Sequence, residues 1–178
     1  IIPQIAENAT GSGTVLPPEV CPVCGASTEI KNDNGIETVH CPNKDCPAKK
    51  IKSFTHFVSR NAMNIEGLSE STVEKFIDRG IIKNLADIFK LDAYRDIIVG
   101  MEGFGIKSFE NLTAAAEKAS HTIPARLLYS LGVPNIGVAN AKMIAKACQN
   151  KWEKIQNLNT EELTAIDGIG EIMAEGYV

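Results

Sequence analysis

The sequence predicts a mainly α-helical protein: a small four-cysteine module built on a short β-hairpin, followed by a helical pair used in tandem. Three observations predict it. Cysteines stand in two close pairs, Cys21/Cys24 and Cys41/Cys46. Two β-prone stretches flank Asn34-Gly35 between those pairs. After Ala48 the apolar residues fall at helical spacing, broken by short turns of the form small–apolar–small.

Residues 1–20 open with IIPQI, which suits the end of a strand, and continue into ENATGSGTVLPPE, a linker by composition. Ile1 in place of Met, and a last segment from Glu171 to Val178 that resembles a helix cut short, lead us to expect an excised piece of a longer chain. Residues 21–47 hold the cysteines. Asn-Gly accepts positive φ at both turn positions, so a tight hairpin is expected there.

Residues 48–178 are expected to be helical throughout. Ile51, Phe54, Phe57, Val58 and Asn61 make one apolar stripe. Val73, Phe76 and Ile77 mark a second helix, opened by Ser69 or Ser71 and stopped by Gly80. Leu85, Ile88 and Phe89 give a short third. Leu112, Ala115, Ala116 and Ala119 line a fourth that starts near Ser108. Pro124 suits the first turn of a fifth, through Leu127, Leu128 and Leu131. Ala141, Ile144, Ala145 and Cys148 share one face of a sixth.

The turns between these helices repeat. Gly67-Leu68-Ser69, Gly103-Phe104-Gly105, Asn135-Ile136-Gly137 and Gly168-Ile169-Gly170 begin 36, 32 and 33 positions apart. One supersecondary unit used four times explains that period, so the region is expected to be a run of helix-hairpin-helix motifs. Glycine in such a turn lets main-chain N–H groups approach an anion closely, and the helix that follows adds its positive end. The central apolar residue can tuck between the two helices. Contacts of this kind hold backbone phosphate and carry no base information. Gly103 to Gly105, with Lys107 beside it, is the best phosphate grip by sequence. Gly168 to Gly170 comes second in form but lies among Asp167, Glu171 and Glu175. Ser69 and Asn135 stand where glycines are expected and weaken close approach at their turns.

Net charge is -4, which does not advertise a nucleic-acid partner. Residues 21–60 and 100–150 each carry a surplus of two positive charges, and residues 151–178 a deficit of four. Amides rather than lysines would do the gripping, so the balance is no obstacle. No apolar run approaches the ~20 residues of a membrane helix, and the start has no signal-peptide pattern. A cytoplasmic monomer is expected.

The cysteine pairs have the spacings C-x2-C and C-x4-C, with sixteen residues between Cys24 and Cys41. Cys21, Cys24, Cys41 and Cys46 can therefore close a tetrahedron around one zinc ion, with His40 the alternative to Cys41. Four thiolates leave no open coordination position, so the metal would be structural. A segment this short has too few large apolar side chains to fold alone. Cys148, Trp152, His56 and His121 are expected to serve packing or solvent, and no residue is singled out as catalytic.

CPVCG, CPNKDCPA and HFVSRNAMNIEGLSE resemble the zinc finger and first hairpin of bacterial NAD-dependent DNA ligases. EGFGIKSFENLTAAAEKA, RLLYSLGVPNIGVANAKMIA and LTAIDGIGEIMAE are similar to that family's later hairpins, and IIPQI to the end of its oligonucleotide-binding barrel. The resemblance implies a parent that seals nicks in duplex DNA in replication and repair. Its adenylation lysine lies in a K-x-D-G motif, which does not occur in this sequence. NAD and magnesium would then serve a catalytic domain outside this chain, which would itself be inactive. The hairpin residues would contact nicked double-stranded DNA. A free-standing zinc and helix-hairpin-helix adaptor of repair or recombination is the alternative.

Overall fold

A chain that must reverse direction between two helices in three residues needs a left-handed residue, and L side chains resist that conformation. The computed structural model describes residue 11 and residues 16–33 and 35–178. In it the first residue of all four small–apolar–small turns has positive φ: Gly67 at 92°, Gly103 at 85°, Asn135 at 62° and Gly168 at 84°. Asparagine is among the few non-glycine types that visit this region routinely, so Asn135 preserves the turn. The third residue of each turn is extended and caps the next helix.

The chain divides into two compact units, Ile1–Ala48 and Lys49–Val178. In the first, β1 (Glu29–Asp33) pairs antiparallel with β2 (Ile36–His40), with Asp33 opposite Ile36. That register leaves a two-residue turn, in which Gly35 has φ of 84°. Asn34, the IIPQI segment and much of the expected linker lie outside the described residues. Among the described residues of this unit only Cys21 and Cys46 are buried. No apolar core forms among the described residues of this unit.

Helix α1 (Pro47–Val58) follows at once, with Pro47 in its first turn. Asn61 lies beyond its end, in a turn, and not on the helical stripe expected of it. Helix α2 (Glu70–Asp78) buries Val73 and Phe76 and is capped by Ser69, whose side chain accepts from the Thr72 amide. The expected third helix is a 3-10 stretch, Leu85–Tyr94, kinked at Lys90 and followed by α3 (Arg95–Val99). Within it the Asp87 carboxylate accepts from the Lys83 and Asn84 amides at 2.8 and 3.0 Å, which holds its pKa below the usual value.

Helix α4 runs Ile106–Ser120. It starts two residues earlier than Ser108 because extended Gly105 already occupies the cap. Then come α5 (Pro124–Ser130), α6 (Val138–Ala147), α7 (Trp152–Ile155), α8 (Thr160–Thr164) and α9 (Glu171–Tyr177).

Two separate cores result, each serving two hairpins. The first gathers Phe54, Val73, Phe76, Ile88, Phe109 and Leu112 with their neighbours; the second gathers Leu128, Ala141, Ile144, Ile155, Leu163 and Ile169 with theirs. Central turn residues enter them: Leu68 the first, Ile136 and Ile169 the second, each about 95% buried (4–6% exposed). Phe104 is half-buried and lies 5.6 Å from the Phe76 ring. Cys148 and Trp152 belong to the second core, as packing groups.

Left-handed strain at Asn135 should be measurable apart from packing. Asn135→Ala should lower stability by about 1 kcal/mol, while Asn135→Gly should leave it nearly unchanged. Urea unfolding followed by Trp152 fluorescence checks this; equal losses in the two variants would refute the conformational argument.

Candidate metal centre and nucleic-acid interface

The cysteine unit places its four thiols by backbone hydrogen bonds. Gly25, with φ of 71°, turns the first knuckle so that its amide donates to the Cys21 carbonyl at 2.9 Å. The Cys21 amide donates to the Ala26 carbonyl at 2.8 Å. The second loop is held by Asn43, whose side-chain oxygen accepts from the Asp45 amide at 2.9 Å.

All four Sγ atoms lie within 4.8 Å of one another, with Cys21–Cys46 at 4.0 Å and Cys24–Cys41 at 3.5 Å. A tetrahedral ion with metal–sulfur bonds of about 2.3 Å requires sulfur–sulfur separations of about 3.8 Å, so the donor set fits such an ion. His40 is not in the cluster; its ring hydrogen-bonds the Thr38 hydroxyl at 2.7 Å in solvent.

The thiols do not titrate alike. A hydrogen bond from the Ala26 amide draws Cys24 down to about 6, whereas desolvation pushes Cys41 up to about 12. A divalent cation must displace at least the Cys41 proton at neutral pH, and the Cys24 proton as well below about pH 6. Metal affinity should therefore fall as pH falls.

In the helical unit the four turns share one geometry but not one fate for their amides. In three of them the central amide is spent on the turn itself: Phe104 donates to the Met101 carbonyl, Ile136 to Val133 and Ile169 to Ile166, at 3.0 to 3.1 Å. The next amides have no acceptor among the described residues. These are Ser69, Glu70 and Ser71 in the first hairpin, Gly105, Ile106 and Lys107 in the second, Gly137, Val138 and Ala139 in the third, and Gly170, Glu171 and Ile172 in the fourth. The first hairpin differs. Ser69 Oγ accepts from the Thr72 amide at 3.2 Å and touches the Ser71 and Thr72 hydroxyls, so a protein oxygen occupies the space beside that amide, whereas its counterparts at Ser108 and Asn140 have no acceptor among the described residues.

The turn residues themselves are exposed apart from the central apolar ones and half-buried Gly105. Gly67 and Gly103 line one open cleft of about 680 Å³, with Thr72, Ser108 and Asn111. In the other pair, Asn140 donates to the Asn135 carbonyl and to Met173 Sδ, both at 3.0 Å, which ties the third hairpin to α9. Charge separates the hairpins further. Lys107 is exposed on the second, and Lys142 on the helix after the third. Glu70 opens α2 but is paired with Lys52 at 2.8 Å. Asp167, Glu171 and Glu175 surround the fourth turn and are all exposed.

A Cβ built at Gly105, Gly137 or Gly170 meets nothing within 4 Å, and none of these three has positive φ. Neither packing nor backbone conformation requires glycine there. Sequence reasoning named these residues but did not separate the first position, which the turn demands, from the third, which it does not. It offered Ser69 and Ser71 as possible caps of α2, and Ser69 is the one that caps it. It expected only packing or solvent of His56 and assigned no role to Arg126; the partners of both are more than 60 residues away.

Residues 126–177 match the family model described as Helix-hairpin-helix motif, a span that coincides with the second core. The whole chain is 54% identical to a protein named DNA ligase from Ruminiclostridium cellulolyticum and 54% identical to another from Lachnoclostridium phytofermentans, covering 27% of each. A DNA ligase from Fusobacterium nucleatum is 40% identical over all of this chain and 26% of its own length. The chain thus spans about a quarter of the length of the curated relatives it matches.

Competition for a thiolate-seeking divalent ion against a chelator, at pH 8 and pH 5.5, should show one ion per chain and weaker retention at the lower pH. Cys41→Ser should abolish tight binding. Equal retention at both pH values would contradict the proton displacement argued for Cys41.

Proposed function

This chain belongs to the DNA ligase family, and we propose that it is the non-catalytic section that grips duplex DNA around a nick through backbone phosphates. The observation that carries this reading is the third-position glycine of the second and third hairpins. Ser69 stands at the same place in the first hairpin and caps its helix better than glycine would. Where glycine is kept against that preference, beside free amides and open space, the room favours an oxygen from outside.

A phosphate there would accept from the amides of Gly105, Ile106 and Lys107, with the positive end of fifteen-residue α4 behind them. Gly137, Val138 and Ala139 offer the same set ahead of α6. Such contacts position a duplex without reading it. On this reading the first hairpin, capped by its own serine, and the fourth, ringed by carboxylates, act mainly as packing partners of the other two.

The metal of the cysteine unit is, on the same reading, a structural zinc: four sulfur donors suit it and leave no site for substrate. The parent would be an NAD-dependent ligase of the bacterial cytoplasm. Its NAD and magnesium chemistry would lie in sections outside this chain, which lacks K-x-D-G. The chain would act as a monomer and have no ligase activity alone.

Fluorescence anisotropy with nicked duplexes of unrelated sequence tests this; binding to none of them would refute it. Gly105→Ser and Gly137→Ser should each cost about tenfold in affinity, the loss of about one charge-assisted hydrogen bond, with melting temperature unchanged or raised. Lys107→Ala should reduce the slope of log affinity against log salt by about 0.9. Serine variants that bind like the parent would show that these amides do not hold phosphate.

A further inference from the structure

Arg126 and His56 form a reciprocal latch between the two hairpin pairs, and we propose that they are positioning residues that fix the angle at which the pairs meet. The two cores are separate, and something must set their mutual orientation. Arg126, in the first turn of α5, donates through Nε to the Ala62 carbonyl at 2.7 Å and through Nη2 to the Arg60 carbonyl at 2.6 Å. Both carbonyls lie in the turn after α1, and among the described residues no backbone amide reaches either of them. His56, on α1, sends Nε2 to the Tyr129 carbonyl near the end of α5 at 2.8 Å. A carbonyl only accepts, so Nε2 carries the proton. Each pair thus donates one side chain into main-chain oxygens of the other.

The contacts around the latch are specific in geometry. The His56 ring meets the Tyr129 ring edge-on, with centroids 4.8 Å apart. A Cβ at Gly132 would come within 3.5 Å of His56 Cδ2. Apolar packing across the seam is thin. Leu127 of α5 is packed against the first core, but beside it lies an open cleft of about 420 Å³ lined by Lys52, His56 and Leu85 on one side and Leu131, Val133 and Ile136 on the other. One apolar pin leaves a rotation free. A forked guanidinium and an imidazole, aimed in opposite senses, remove it. Since Arg60 and Ala62 lead directly into the first hairpin and α5 into the third, the latch also sets how the two pairs address one duplex. That last step rests on the phosphate-grip reading above.

The test uses the whole chain with its metal bound. Residual dipolar couplings of the wild type should fit a single alignment tensor across both pairs. In Arg126→Ala/His56→Ala they should need two tensors, with the amide shifts inside each core retained. Arg126→Lys/His56→Gln, which keeps a donor at each position, should restore much of the single-tensor behaviour. Affinity of the double alanine variant should fall about tenfold to a hundredfold for a duplex long enough to engage both pairs, and stay nearly unchanged for one that reaches a single pair. A single shared tensor in the double alanine variant would overturn the latch. Diverging tensors with undiminished long-duplex affinity would overturn its role in positioning. Absence of duplex binding by the wild type would count against the phosphate grip alone, because the couplings still decide the latch.

Discussion

The helical unit depends on one backbone event: a left-handed residue, an apolar residue and an extended cap in succession. Left-handed geometry costs an ordinary L residue about 1–2 kcal/mol, so the first position is confined to glycine, or to asparagine as at Asn135. The reversal then aims the second side chain between the two helices, and Leu68, Ile136 and Ile169 are buried for that reason. The third residue must be extended because it starts the next helix. Helix starts leave amides without partners, so every hairpin inherits the same unspent donors. What distinguishes the hairpins is how those donors are used: Ser69 supplies its own oxygen, Gly105 and Gly137 supply none, and Gly170 supplies none but stands among acids.

The cysteine unit follows the opposite logic. Its strands are exposed on both faces, and Cys21 and Cys46 are its only buried side chains among the described residues. Nothing apolar can offset the entropy of ordering such a segment. Coordination bonds to a metal held by the four thiols would substitute for a core, and the thiols accordingly sit in tight turns held by main-chain hydrogen bonds rather than on the strands. Two adjacent units of one chain would then have different sensitivities: chelation and acid would act on the first, and cavity-forming substitutions on the second.

Much of this was legible in the sequence, because local chemistry dictates it. The cysteine spacing, the Asn-Gly hairpin and the 3.6-residue stripes of α2, α4, α5 and α6 all rest on short-range rules. Boundaries slipped where a cap outranked a stripe, as at Gly105, which starts α4 two residues before Ser108. Leu85 to Tyr94 looked like an ordinary helix because periodicity does not distinguish a 3-10 stretch from an α turn. Helix α7 is too short to show a period at all. Helix α8 could have been read from Asn159 and Glu162, which satisfy each other's amides as a capping box. The seam was beyond reach: Arg126 meets Ala62 and His56 meets Tyr129 only after both cores exist, and no spacing rule spans 64 or 73 residues.

Charge and geometry also assign different tasks to different parts of the surface. A chain of net charge -4 gains little from long-range attraction to a polyanion, and contacts made by neutral amides release fewer counterions than contacts made by lysines. An amide grip acts only within hydrogen-bond range and only when the strand lies in the correct path. Acids around the fourth turn would raise the cost of a phosphate misplaced there. If the chain grips duplex DNA as proposed, these features favour a section that holds a duplex once it is correctly seated over one that captures DNA from a distance. Capture would then fall to other parts of a longer protein, and a section tethered to them needs geometric fit more than strong affinity of its own.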